Sequence, residues 1–302
     1  MSYFDHWVHH PQTVWLRKAL FQVHLWSGIG VGLYLVVISV TGSILVFRSE
    51  LRQTFMPQPV FVEAIGERMD SDQILAAAER VYPDGDVSIF AERDIPTQAV
   101  TISVNREGEV QQMLLDPFTG SDLGHAMPTG WRATTWLLDL HDNLLSGETG
   151  RKFNGIGAIL MTLLSVTGII IWWPGTETWR RSLTIDFRAN WRRLNWTLHS
   201  AIGFWTLLFV FMWGFTGIYL CFPQVFTAFV DYVEPFNMET FEDRVGDAVL
   251  YWLTRLHFGR FSMATKILWA IVGLVPVVMF VTGSLMWWNR VIRPRGTKLA
   301  RS

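Results

Sequence analysis

Residues 19–47, ALFQVHLWSGIGVGLYLVVISVTGSILVF, decide the fold. The stretch has no acidic or basic side chain except one histidine, His24. As a helix rising about 1.5 Å per residue it would be about 43 Å long, more than the ~30 Å hydrocarbon core of a bilayer. It is too long for the h-region of a signal peptide, and no small-residue cleavage site follows it. Three more runs share its character: 153–173, 194–222 and 266–288, none containing an acid. Half of the 302 residues are hydrophobic, 17% are charged, and the mean hydropathy is +0.25. A soluble domain rarely combines that apolarity with so few charges. The sequence therefore predicts four transmembrane helices.

The first and third runs match each other. His24 is followed by Gly28 and then by Thr41-Gly42; His199 is followed by Gly203 and then by Thr216-Gly217, at the same spacings. The second and fourth runs match too. Leu140-His141 leads to Val166-Thr167-Gly168 and Trp172-Trp173, and Leu256-His257 leads to Val281-Thr282-Gly283 and Trp287-Trp288. This is a duplicated helix pair. The fold class that follows is an all-α membrane bundle of four helices with a small α+β insert.

Basic residues orient the bundle. The N-terminus, the loop 174–193 and the C-terminal tail lie on one side and hold twelve Lys and Arg against three acids (Asp5, Glu177 and Asp186). Segments 48–152 and 224–265 hold twelve basic residues against 23 acids. Short basic segments stay inside, so both termini are expected in the cytoplasm of a bacterial inner-membrane protein. The asymmetry reflects topology and gives no reason to expect nucleic-acid binding; membrane lipids are the surroundings. The chain divides into residues 1–47 (lead and first span), 48–130 (periplasmic module), 131–223 (an interfacial helix and the second and third spans) and 224–302 (a periplasmic loop with a second interfacial helix, the fourth span and a cytoplasmic tail).

Within the module, 71–82 has helical apolar spacing behind an Asp70-Ser71-Asp72 cap, and 99–104 and 109–115 read as strands joined by a turn at 105–108. His125 sits among turn residues. Segments 131–145 and 243–258 read as amphipathic helices closed by glycine, at Gly147 and Gly259.

Histidine in or beside a membrane span is costly and usually functional. Four of the eight histidines fall at equivalent repeat positions. His24 and His199 lie near the cytoplasmic ends of their spans, and His141 and His257 just before theirs on the periplasmic side, so each face offers one pair. Imidazole is a strong axial ligand for haem iron, and facing helices can clamp one macrocycle between two histidines. The reading is two non-covalent, bis-histidine haem b groups, on His24/His199 and on His141/His257. Gly28 and Gly203, one turn beyond their histidines, would let a flat ring approach the backbone. Two other readings compete: interhelical hydrogen-bonding histidines, and a zinc or copper site with Asp139 or Asp142 as third ligand. The single cysteine, Cys221, permits no intrachain disulfide, and no C-x-x-C-H exists for covalent haem.

Other features have plainer explanations. Gly28-Ile29-Gly30-Val31-Gly32 follows no strand and reads as helix packing. The paired tryptophans read as interfacial anchors. Arg17, Arg192 and Arg193 on one face, and Arg132, Arg151, Arg255 and Arg260 on the other, are candidates to pair with haem propionates.

These residues resemble the PepSY-associated transmembrane family. The resemblance rests on His24 with Trp26 and Gly28, on Asp116-Pro117-x-Thr119-Gly120 closing the inserted module, on Leu140-His141, on the Val-Thr-Gly and Trp-Trp endings, and on His199 and His257. It implies a PepSY-like periplasmic module and a di-haem b protein with His24, His141, His199 and His257 as iron ligands. It also implies a membrane oxidoreductase that reduces Fe(III) in a siderophore or other chelate, with electrons from a cytoplasmic donor or quinol. Two alternatives stay open: a cytochrome b subunit serving a partner redox protein, and a non-enzymatic, membrane-anchored regulator.

Overall fold

The computed structural model describes residues 3–92, 95–235 and 244–292. The basic tail residues Arg293, Arg295, Lys298 and Arg301, and the start of the predicted helix 243–258, lie outside the described residues.

In chain order the helices are α1 (Tyr3–His9), α2 (Trp15–Leu45), α3 (Arg48–Thr54), α4 (Ser71–Val81), α5 (Thr129–Asn143), α6 (Gly147–Trp172), α7 (Trp179–Ser182), α8 (Trp191–Cys221), α9 (Pro223–Val233), α10 (Val245–Phe258), α11 (Met263–Gly273) and α12 (Val275–Trp287). Strands β1 (Asp86–Ala91), β2 (Val100–Arg106), β3 (Glu109–Leu115) and β4 (Asp122–His125) lie between α4 and α5. The chain forms two units: residues 1–47 with 137–302, and residues 48–136.

In the first unit, four segments are long and apolar enough to cross a membrane: α2, α6, α8, and α11–α12 continued through Ile292. Each span packs on two others. α2 touches α6 and α12, and α8 touches α6 and α12, so α2 and α8 stand diagonally. The surface is inverted relative to a soluble protein. Leu208 is 78% and Leu33 70% exposed, whereas Thr216 is 1% and Asn195 2% exposed. Only an apolar solvent makes that distribution favourable. The chain is a membrane protein.

Small residues permit close helix approach. A Cβ on Gly32 would run into Phe280, and one on Gly157 into Tyr34. Gly32 thus accounts for part of the glycine-rich stretch as packing, as read from the sequence.

Two expectations need correction here. The fourth span is broken at Leu274, between α11 and α12. Pro276, in the first turn of α12, has no N–H to continue the ladder, and its ring clashes with a preceding carbonyl. Gly259 closes α10 in the left-handed conformation (φ 62°) as expected, but α5 is ended by Leu144 (φ 52°) and Leu145 (φ 60°), with Gly147 opening α6. Left-handed leucine costs about 1–2 kcal/mol. Side-chain bonds hold the corner: Asn154 Nδ2 donates to the carbonyls of His141 (2.7 Å) and Asp142 (2.9 Å), and Arg151 pairs with Asp142.

The second unit is an antiparallel sheet in the order β1-β2-β3-β4 with α4 packed on one face. Asp70 and Gln73 form a capping box at the start of α4. Ile74, Ala77, Ala78 and Tyr82 pack on Val100, Ile102, Val104, Met113 and Leu115. Arg106 pairs with Glu109, leaving a two-residue turn of Glu107 (φ 53°) and Gly108 (φ 89°), the type I′ geometry that suits strand twist. β1 and β4 were not read from the sequence. His125, expected in a turn, is in β4 opposite Met113.

Candidate functional site

α2 and α8 carry His24 and His199, and α5 and α10 carry His141 and His257. The rings of His141 and His257 have centroids 6.5 Å apart and planes tilted by 58°. An imidazole nitrogen binds a transition metal at about 2 Å and lies about 1 Å from the ring centre, so two rings on opposite sides of one ion have centroids about 6 Å apart. His24 and His199 line a single cavity of about 1450 Å³. That exceeds the roughly 300–1,000 Å³ of ordinary ligand pockets. Gly28 and Gly203 line it as well; a Cβ on Gly28 would come no closer than 3.7 Å to Leu164, while one on Gly203 would meet Met279 Cε at 2.8 Å.

All four rings are held in the same way. His24 Nδ1 lies 3.0 Å from Thr167 Oγ1, His141 Nδ1 3.0 Å from Thr41 Oγ1, His199 Nδ1 2.8 Å from Thr282 Oγ1, and His257 Nδ1 2.9 Å from Thr216 Oγ1. Each threonine is the first residue of one of the repeated Thr-Gly pairs. Each hydroxyl also donates to the carbonyl four residues earlier: Thr167 to Leu163, Thr41 to Val37, Thr282 to Val278 and Thr216 to Met212, at 2.7–2.8 Å. A hydroxyl has one hydrogen. With that hydrogen on the backbone, Oγ1 is left to accept, so Nδ1 carries the ring proton and Nε2 keeps its lone pair. Among the described residues the side-chain hydrogen bonds of all four rings are made at Nδ1.

The glycine of the pair makes room for the ring. A Cβ on Gly42 would sit 2.8 Å from His141 Cε1; on Gly168 and Gly283 it would sit 3.4 Å from Cε1 of His24 and His199. Gly217 departs from the pattern and faces Ala158. Main-chain contacts add to the placement. Asn154 holds the His141 carbonyl, Trp213 Nε1 donates to the His257 carbonyl at 3.2 Å, and buried Asn195 Nδ2 donates to the Thr282 carbonyl at 2.9 Å. Burial pushes the His141 and His257 imidazoles below their ordinary value, and for His257 the neighbouring His141 adds to this. Neutral imidazole is the form that ligates metal.

Sequence reasoning singled out all four histidines but not the four threonines. Their signal was there, as the Thr-Gly pairs in every repeat. Interhelical hydrogen bonding, the competing reading, is present and occupies one nitrogen per ring. The zinc alternative finds no third ligand: among the described residues no three His, Cys, Asp or Glu side chains converge, and Asp142 is paired with Arg151.

Iron porphyrin fits this donor set. Two imidazoles stand with centroids 6.5 Å apart in one layer, and two more line a cavity in the other, whose lining also includes Arg17, Arg192 and Arg193. His24 and Thr41 are 17 residues apart on α2, so the two layers lie about 25 Å apart along the helix.

The PepSY-associated TM region matches the chain over residues 21–240 and 231–290. No curated protein matches it.

Proposed function

The chain belongs to the PepSY-associated transmembrane family, and from that premise we propose that it is a di-haem b-type oxidoreductase carrying electrons across the bacterial inner membrane. The acceptor is a periplasmic ferric chelate such as a siderophore, and the donor is cytoplasmic or the quinol pool. The observation that carries the proposal is the fourfold arrangement of histidine, threonine and backbone carbonyl, which leaves four Nε2 lone pairs in two layers.

His24 with His199, and His141 with His257, would hold the two haems. Iron porphyrin supplies reversible one-electron exchange between ferrous and ferric states when bound. Two histidines would hold each group, which would then serve electron transfer. The threonines keep each ring in one tautomer and orientation, so a change of oxidation state meets a fixed ligand field. No side chain is assigned as acid or base, because passing one electron to Fe(III) requires neither.

The test is anaerobic stopped-flow absorbance of the dithionite-reduced protein mixed with ferric chelates of several classes, with an Fe(II) trap present. Chelate-dependent reoxidation with trapped Fe(II) is expected. Reduced haem that no chelate reoxidises would reject iron reduction and favour a cytochrome subunit. Protein purified without haem from haem-replete cells would reject the electron-transfer reading itself.

A further inference from the structure

Counted from His141 and His257, the corners that follow α5 and α10 are equivalent places in the duplication, yet their side chains differ. Where the second copy has Tyr251, Arg255 and Phe261, the first has Thr135, Asp139 and Leu145. Residues 248–273 hold Arg255, Arg260 and Lys266 and no acid, whereas the equivalent 132–157 set Asp139, Asp142 and Glu148 against three Lys and Arg. The second corner is a rigid shelf. Gly259 (φ 62°) turns the chain, Thr265 Oγ1 donates to the Gly259 carbonyl at 3.0 Å, and Trp269 Nε1 donates to the Leu256 carbonyl at 2.8 Å. Phe261 lies edge-on to Trp269 and stacks on Trp252, with centroids 6.2 Å apart and planes at 23°. The Arg255 guanidinium lies over two rings, with Cζ 5.7 Å from the centre of Tyr251 and 5.2 Å from that of Phe261. Tyr251, Trp252, Arg255 and Phe261 are all exposed. The fourth span starts two residues on, at Met263, and its exposed Met263, Ile267 and Ile271 form a stripe at a spacing of four. That stripe needs acyl chains as its solvent. The shelf at its head therefore stands at headgroup level, where rings beside a polar group are favoured.

We infer that this shelf is a binding site for the headgroup of an anionic phospholipid, with Arg255 as the residue that takes the phosphate. The inference rests on the chain being a membrane protein and is independent of its redox role. A guanidinium has five N–H donors, and contact with ring faces uses none of them. They remain for a phosphate, whose oxygens match the planar fork. The two rings already restrict the guanidinium, so less freedom is lost when the headgroup binds. The acids of the preceding helices are engaged elsewhere: Asp231 and Asp247 pair with Arg244, and Glu234 accepts from the N–H groups of Val245 and Gly246 at the start of α10. Charge then selects among phospholipids. The ammonium of a zwitterionic headgroup would meet the cations of 248–273 and no carboxylate there, whereas an anionic headgroup meets attraction alone. The corner after α5, with Asp139 in the place of Arg255, has no such preference, so the duplication carries one site of this kind and not two.

The test titrates the purified full-length protein with phosphatidylglycerol and with phosphatidylethanolamine, reading bound lipid by native mass spectrometry. Wild type, R255Q and R255K are compared, with R80Q on α4 as control. We expect wild type to bind phosphatidylglycerol about tenfold more tightly than phosphatidylethanolamine, and R255Q to lose about tenfold in phosphatidylglycerol affinity, as for a charge-assisted hydrogen bond removed. R255K keeps the charge without the fork and should fall between; R80Q should match wild type. A second measurement needs no variant. In nanodiscs, phenylglyoxal should label Arg255 of wild type more slowly when phosphatidylglycerol is present than in phosphatidylethanolamine alone, and label Arg80 equally in both, as read by peptide mass spectrometry. Wild-type phosphatidylglycerol affinity in R255Q, or equal labelling of Arg255 in the two lipids, would overturn the inference. So would a wild type that binds both headgroups alike, which would leave the shelf an aromatic anchor only. Each of these results would leave the proposed function standing.

Discussion

Replacing Thr282 by valine isolates the contribution of one histidine's hydroxyl partner. Valine keeps the β-branched shape, so α12 should pack as before. Thr282 is 6% exposed, and its Oγ1 lies 2.8 Å from His199 Nδ1. In T282V the Nδ1–H loses its hydroxyl acceptor and is left with the Met279 carbonyl. Losing a partner at a buried donor costs up to about 1–3 kcal/mol. At 1.4 kcal/mol per decade that is roughly 5- to 150-fold in affinity for whatever the ring binds. It agrees with the about 10- to 100-fold typical for removing a partner of a metal-ligating histidine. Loss of the acceptor also makes the imidazole a poorer donor to ferric iron, which should raise the potential of that haem. Haem occupancy, transfer to apomyoglobin and redox titration would be measured for T282V and T282S. Serine keeps the hydroxyl and should restore most of the wild-type behaviour, and the His141/His257 haem should be unaffected. T282V with wild-type release and potential, or T282S as impaired as T282V, would refute the idea that the hydroxyl holds the ring.

Three further outcomes are expected. H24A and H199A should weaken or remove one haem band and H141A and H257A the other; optical spectra of the four proteins check the pairing. In G42A the new methyl would meet His141 Cε1 at 2.8 Å, whereas in G30A it would meet nothing within 4 Å, so only G42A should disturb a haem spectrum, that of the His141/His257 site. D70A removes the acceptor that caps α4 at Gln73 N (2.8 Å) and should cost the inserted unit about 1 kcal/mol, read as a lower unfolding midpoint.

The histidines were legible because duplication places them at matching positions, and a costly residue repeated in register is hard to explain by packing alone. Their partners were not. Thr41 reaches His141 and Thr167 reaches His24, 100 and 143 residues away, so no local spacing reports the contact. β1 and β4 escaped for a different reason. They are the edges of the sheet; β1 is exposed at four of its six positions, and β4 has only four residues. An edge strand buries too little to impose an apolar alternation. The break at Leu274 could have been read from Pro276, but the unbroken apolar run hid it. The left-handed Leu144 and Leu145 had no signal at all, since the bonds that stabilise that corner come from Asn154 and Arg151 in the next helix.

A membrane span that must hold an imidazole faces a conflict, because each polar atom that steadies the ring is itself costly in hydrocarbon. Threonine resolves it with one atom. Its hydroxyl hydrogen goes to the helix's own carbonyl, so the side chain adds no unmet donor, and the oxygen still has a lone pair for a neighbouring helix. The ring is then steadied by a neutral partner. Outward residues such as Leu33 and Leu208 stay apolar, and each polar chain of carbonyl, hydroxyl and imidazole is confined to the inside. A glutamate could orient the ring more strongly, but it would place a carboxylate next to each iron site and a desolvation cost in every span. Using threonine in all four copies steadies every ring without adding a charge to its span.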